Sequence, residues 1–404
     1  RRLRFLKCPA DERGKAAGVD TRTKESYTDG EIRHAIADVV RQLKTRTYRP
    51  QPIRRVFIPK GNGTTRPLGI PTVIDKVVQL AVAKILEPIF EPLFHDSSYG
   101  YRPKRNAHEA LKAVHKMIMG HKVNYVIDAD IKSFFDTVSH DWMMKCLQQR
   151  IADPNFLTLI KRMLKSGVVT QGVRTATEHG TPQGGIISPI LANIYLHYVL
   201  DLWFEKKLKS TLKGYIGIVR YADDFVIGCQ YSEDSQRVVK TIAERFAPFG
   251  LTLAQDKTRV IEFGRFARER RKERKKGKPE IFNFLGFTHY CSTTRKGTYV
   301  VKLKTSKKKY QIATKRMKEW LKMVKNRKAL PDIWNVLILK LRGHYQYYGI
   351  RGHDRRLDTL CTYAAKAWRY WLSRRSHKSA IPWEKFDRLH DRFPLPAPRI
   401  VHAI

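Results

Sequence analysis

The stretch IVRYADDFVI, Ile218–Ile227, sets two adjacent aspartates inside an apolar run with no turn glycine. The apolar residues on either side predict two short strands, Ile216–Arg220 and Phe225–Ile227, folded as a hairpin with Asp223 and Asp224 at its tip. Two carboxylates in apolar surroundings are costly to desolvate unless a cation stands beside them. A divalent metal would supply it. The bland alternative is an ordinary polar Ala-Asp-Asp turn.

A second acidic strand lies upstream. VNYVIDAD, Val123–Asp130, reads as a short β run ending in acids, and within IDADIKSFFD, Ile127–Asp136, the aromatics Phe134 and Phe135 follow at once. In a strand the period is two, so Asp128 and Asp130 face the same side. Periodicity leaves open which of them would hold a metal. One of them with the pair at 223 and 224 gives three carboxylates from two strands. That inventory suits two Mg²⁺ ions clamping an in-line phosphoryl transfer, held about 3.5–4 Å apart. Mg²⁺ takes oxygen ligands and keeps waters or phosphates as partners, so His and Cys are not required.

Composition narrows the partner. The chain has 404 residues, 42% of them hydrophobic, and a formal net charge of +42. Such a core excludes a disordered chain, and the length predicts more than one domain. The charge predicts a polyanion that neutralises it: nucleic acid first, an anionic membrane surface second. No apolar run is long enough to span a bilayer. The five cysteines are scattered, with no C-x2-C pair, which argues against a zinc ribbon and for reduced thiols. There is no initiator Met and no apolar signal region, so the sequence is expected to begin partway into a longer one.

Residues 1–260 alternate strands and amphipathic helices, including helical stretches at Lys76–Leu86 and Ile187–Leu202. Residues 265–280, RFARERRKERKKGKPE, form a dense charge run, read as a surface helix or a solvated loop. Residues 305–375 read as helical, rich in Lys, Arg and aromatics. There, Trp368, Tyr370 and Trp371 read as a buried helix face, with base stacking as the sharper alternative. His179 and His289 read as structural or surface histidines with no ligand role.

With these residues in place, the chain resembles bacterial group II intron-encoded reverse transcriptases, or maturases. VFIPKGNGTTRPLGIP (Val56–Pro71) and SYGYRPKRN (Ser98–Asn106) look like the early fingers blocks. IDADIKSFFD resembles polymerase motif A, GTPQGGIISPILANIYL (Gly180–Leu196) motif B and RYADDF motif C. GLTLAQDKT (Gly250–Thr258) resembles motif D, FNFLGF (Phe282–Phe287) motif E and LRGHYQYYGI (Leu341–Ile350) the maturase thumb. Eight motifs in the correct order make the resemblance specific.

The resemblance implies an α+β right-hand polymerase fold. Fingers would occupy 1–115, the palm with some fingers elements 116–290, and an α-helical thumb or maturase (X) domain with a short basic tail 291–404. It assigns Asp130, Asp223 and Asp224 as catalytic metal ligands for two Mg²⁺ ions (with Mn²⁺ as substitute), together with the Ile131 carbonyl, and leaves Asp128 as a neighbour. It places Phe135 as a steric gate against a ribose 2′-OH, and Lys60, Arg66 and Gln183 at the incoming nucleotide. Lys257 fits a general acid for pyrophosphate, with a solvated lysine as the alternative. The implied activity is an RNA-directed DNA polymerase that uses an RNA template, a DNA primer and dNTPs. It would also bind its group II intron RNA, assist splicing and act at a DNA target site, as a cytoplasmic bacterial ribonucleoprotein. The alternatives are a splicing-only maturase and a reverse transcriptase used for phage defence or another non-intron role. No HNH-type endonuclease pattern follows the thumb-like region, so second-strand cleavage is not expected of this sequence.

The charge yields the first test. Affinity for RNA should fall linearly on a log–log plot against salt, with a slope of about 0.9 or less per phosphate neutralised. A flat salt dependence in filter binding would refute the polyanion argument.

Overall fold

The computed structural model describes residues 16–59, 65–181, 184–376 and 380–404. Lys60 and Gln183, two of the expected nucleotide contacts, lie outside the described residues.

Among the described residues, a short 3-10 turn (Lys24–Ser26) is followed by α1 (Asp29–Lys44), β1 (Ile53–Pro59), β2 (Thr65–Ile70), α2 (Val73–Phe90) and α3 (Ala107–Gly120). Next come β3 (Tyr125–Asp130), α4 (Phe134–Thr137), α5 (His140–Gln148), α6 (Pro154–Leu164), and the short strands β4 (Val168–Thr170) and β5 (Val173–Thr175). Helix α7 (Ser188–Leu196) runs on through π-helical turns at His197–Asp201 and Phe204–Leu208. Then follow β6 (Ile216–Tyr221), β7 (Asp224–Cys229), α8 (Ser232–Phe246), β8 (Arg259–Glu262), α9 (Ala267–Glu273), β9 (Phe282–Phe284), β10 (Phe287–Thr293) and β11 (Tyr299–Thr305). Four helices close the chain: α10 (Lys307–Val324), α11 (Leu330–Tyr348), α12 (Asp354–Leu372) and α13 (Trp383–Arg392). This is the mixed helix–sheet, right-hand polymerase architecture expected, with a helical C-terminal region.

The central sheet has the order β6-β7-β3-β8. Its strands are near-continuous apolar runs because both faces are covered. Alternation sends Ile127, Ala129, Ile218, Phe225 and Ile227 to one face, into a core shared with α2, α5, α7 and α8. It sends Val126, Val219, Val226 and Ile261 to the other, against α3 and the sheet β11-β10-β9. Asp128, Asp130 and Asp224 fall on this second face, in step with Val126 and Val226. The acids therefore stand at the end of the face that the second core leaves open.

A third sheet, β2-β1-β4-β5, carries Arg66 on β2, opposite Ile58 of β1. It touches the loop before α7 closely. A Cβ at Gly184, whose φ is 109°, would lie 2.5 Å from the Gly69 carbonyl oxygen, so only glycine fits.

The C-terminal helices have their own core, with Leu321, Leu337, Leu341, Leu357, Trp368 and Phe386 buried together. Trp368 is fully buried and Trp371 nearly so, which agrees with the helix-face reading; Tyr370 is exposed under Arg374, whose guanidinium lies 3.6 Å from its ring centre. These helices are fixed to the central sheet's flank by backbone acceptors. His108 on α3 donates from Nε2 to the Tyr347 carbonyl at 2.7 Å, and the Tyr347 hydroxyl donates to the Leu285 carbonyl at 2.9 Å.

Two open readings are decided. The charge run at 265–280 begins as a helix, α9, because Arg270 and Arg274 both reach Glu262 on β8 and Arg271 pairs with Glu280 at 2.8 Å. His289 is fully buried and stacks on Phe282 at 4.5 Å, and burial depresses its pKa to about 3, so it is a neutral core residue. Among the described residues, no helix is long and apolar enough to cross a membrane.

Candidate active site

The hairpin forms as expected, with its tip one residue earlier. Tyr221 pairs with Asp224, so Ala222 and Asp223 are the two-residue turn and Asp224 already belongs to β7. Two-residue hairpin loops demand positive φ at their first central residue. Ala222 meets the demand at φ 59°, without glycine. Strain of this kind persists only where the surroundings over-determine the backbone.

Register then brings the acids together. Asp130 on β3 is the direct cross-strand partner of Asp224 on β7. Asp128 lies between Val226 on one side and Arg259 on the other, and its carboxylate is 3.8 Å from that guanidinium. Like charges placed opposite each other destabilise a sheet. The effect is visible in the acidities. Burial, then Asp128, Asp130 and Asp223, push Asp224 up to about 8. Asp128 is pushed up to about 6, chiefly by burial, with Asp130 adding and Arg259 opposing. Asp223 is raised by burial, with Asp130 adding and Arg66 and Lys257 opposing.

Lys257 comes from the segment after α8. That segment is stitched to the end of β3: Lys132 N donates to the Thr252 carbonyl at 2.8 Å, Ala254 N donates to the Asp130 carbonyl at 2.9 Å, and Ile131 bridges Leu253. The stitching sets the Lys257 ammonium on an Asp130 carboxylate oxygen, and that bond raises the lysine pKa.

Among the described residues, no three His, Cys, Asp or Glu side chains converge closely enough to cage a metal ion. The donor set still fits Mg²⁺. That ion is held by one or two carboxylates together with waters and substrate phosphates, not by an all-protein cage. Three crowded carboxylates, one of them with its pKa near 8, also carry the repulsion that a divalent cation removes.

Phe135 is 8% exposed, packed edge-on to Phe134 at 5.3 Å, and its carbonyl accepts from Thr181 N at 2.6 Å. Gly180, with φ 85°, permits that contact, since a Cβ there would lie 2.6 Å from the same carbonyl oxygen. The loop before α7 is held from the other side by buried Gln79, whose Oε1 accepts from Ile186 N at 2.8 Å. Beside Asp224 opens a cavity of about 1030 Å³, lined by Asn283, Gly286, Lys307, Lys309 and Tyr348 among others. Its lysines make it suited to a phosphate backbone.

Sequence reasoning brought forward Asp130, Asp223, Asp224, Arg66 and Lys257, and the structure gathers them at one site. Gln79, which holds the loop before α7, carried no signal in the sequence.

Known proteins match the chain over this same ground. The family model described as reverse transcriptase (RNA-dependent DNA polymerase) matches residues 58–289, more than half the chain. The chain is 40% identical to protein YkfC of Escherichia coli, over 46% of this chain and 56% of that protein. It is 42% identical to the group II intron-encoded protein LtrA of Lactococcus lactis, over 46% of this chain and 31% of that protein. It is 32% identical to a putative COX1/OXI3 intron 1 protein of Saccharomyces cerevisiae, over 54% of this chain and 32% of that protein. The chain thus spans about half or less of the length of these relatives.

The acidity of Asp224 is testable. A carboxyl raised from 3.8 to about 8 holds its proton more tightly folded than unfolded. Its contribution to stability is complete below the unfolded value and is lost as pH rises through the folded one. Asp224→Asn removes that loss. In EDTA, its melting temperature relative to wild type should therefore climb as pH rises from roughly 5 to roughly 9. A difference that does not change with pH would overturn the assignment.

Proposed function

The chain belongs to the reverse transcriptase (RNA-dependent DNA polymerase) family, and from that premise we propose that it extends a DNA primer on an RNA template with dNTPs. The observation that carries this reading is the cross-strand pairing of Asp130 with Asp224, next to the Asp223 turn and at the head of a lysine-lined cavity. Asp130, Asp223 and Asp224, with the Ile131 carbonyl, would hold two Mg²⁺ ions (Mn²⁺ as substitute), which when bound acidify the primer 3′-hydroxyl and neutralise the leaving pyrophosphate.

The remaining roles fall to the protein's own residues. Asp128 is held by Arg259 and serves as a neighbour rather than a ligand. Arg66, whose charge is felt at Asp223, offers a guanidinium fork to the triphosphate, with Lys60 and Gln183 as its partners there. Lys257 keeps its proton through its bond to Asp130 and can release it to pyrophosphate as a general acid. The Phe135 ring bounds the ribose and offers a 2′-hydroxyl no hydrogen-bond partner.

The relatives' names support the cellular setting. Intron-encoded proteins are among the chain's matches, so the nucleic-acid partners proposed are a group II intron RNA, whose splicing the chain assists, and the intron's DNA target. Fingers at 1–115, palm at 116–290 and thumb at 291–404 are the division that goes with this reading.

Purified protein with Mg²⁺, primed RNA and dNTPs should make cDNA; no product would end the polymerase reading. Asp223→Ala should abolish cDNA synthesis while leaving RNA binding intact, and full synthesis by this variant would remove Asp223 from the site. Phe135→Ala should raise ribonucleotide incorporation at least several-fold in a single-nucleotide extension assay; unchanged discrimination would remove the gate.

A further inference from the structure

Arg220 lies within strand β6 of the central sheet and has no exposure to solvent. A buried guanidinium is tolerated only when its N–H groups are matched. Here Nε and Nη2 donate to the two carboxylate oxygens of Asp201 at 2.8 and 2.5 Å, and Asp201 is equally buried. Nη1 donates to Asn193 Oδ1 at 3.2 Å and to the Ala222 carbonyl at 2.9 Å. Asn193 Nδ2 in turn donates to the Gly100 carbonyl at 2.7 Å.

The network converges on the turn that carries Asp223. Nη1 grips Ala222, the residue at φ 59°. Gly100 presses on the same residue, since a Cβ there would lie 2.4 Å from Ala222 N. The Arg220 backbone is held as well, donating to the Ser97 carbonyl at 2.8 Å and accepting from Tyr99 N at 2.9 Å.

The π-helical turn makes the network reachable. Asn193 and Asp201 are eight residues apart, which in an α-helix leaves them about 80° out of phase. The i→i+5 winding at His197–Asp201 turns less per residue and returns Asp201 to the side of Asn193, so both meet one guanidinium.

We infer that Arg220, Asp201 and Asn193 are positioning residues for the polymerase reaction, fixing the strained Ala222–Asp223 turn and so the setting of the Asp223 and Asp224 carboxylates. The inference rests on the polymerase reading above. An ion pair that merely stabilised the fold would be replaceable by apolar residues of similar volume. A pair that also aims the turn would not, because an apolar side chain cannot donate to the Ala222 carbonyl as Nη1 does.

The double variant Arg220→Met/Asp201→Leu separates the two. It should keep its melting temperature and its affinity for poly(rA)/oligo(dT). Its kcat for dTTP should fall by roughly 10²-fold, the scale expected of a misplacement near 1 Å. Its half-saturating Mg²⁺ concentration should rise, and hydrogen exchange in the peptide spanning 221–225 should accelerate while that of the C-terminal helices does not. Arg220→Lys, which keeps the charge but loses the fork, should show a smaller kcat loss at unchanged primer–template affinity. An active wild type and a double variant equal to it in kcat, Mg²⁺ dependence and exchange would overturn the inference. If the double variant does not fold, Asn193→Ser and Arg220→Lys carry the same readouts, and normal values in both overturn it. An inactive wild type would instead count against the polymerase reading, and hydrogen exchange would still report whether Arg220 holds the turn.

Discussion

Two carboxylates facing each other across β3 and β7 impose the constraint around which the central sheet is arranged. Asp130 and Asp224 are direct partners in an antiparallel ladder, with Asp223 at the adjoining turn and Asp128 two residues away. Left alone, such a cluster opposes the pairing of its own strands. The fold answers with cations brought from elsewhere in the chain. Lys257 arrives on the segment stitched to the end of β3, Arg259 stands on β8, and the field of Arg66 reaches Asp223 from β2. These offset the cost only in part: burial first, and then the neighbouring carboxylates, still push Asp224 up to about 8. The remainder is what makes the site receptive to a divalent cation.

The backbone around the cluster is correspondingly over-determined. A non-glycine residue occupies the left-handed turn position, and buried polar groups hold it there, with a guanidinium at the centre. Glycines elsewhere mark the places where segments must nearly touch: Gly100 on the turn, Gly180 on the Phe135 carbonyl, Gly184 on the β2 backbone. Removing one partner of a buried ion pair costs about 3–5 kcal/mol, which is a large share of the stability of a domain.

Charge links the site to the rest of the molecule. The net charge of +42 comes from residues spread along the whole sequence. It nevertheless lines the route to Asp224, because the N-terminal lysines of α10 border the cavity there. The C-terminal helices are tied to α3 and to Leu285 through Tyr347, so this basic rim is held at a defined distance from the carboxylates.

The sequence by itself determined the local features. Period-two alternation put Asp128 and Asp130 on one face and an apolar run around Asp223 and Asp224 marked a hairpin, because each of these signals lies within a few residues; the order of such short motifs from Val56 to Ile350 marked the family. Tertiary structure alone decided which acid stands opposite Asp224. That depends on the register between β3 and β7, which local periodicity does not contain. It also decided that Ala222 rather than Asp224 makes the turn, that Lys257 meets a carboxylate 127 residues away, and that Asp201 and Asn193 share Arg220. Each of these joins segments whose meeting is fixed by packing and strand pairing, not by the residues beside them.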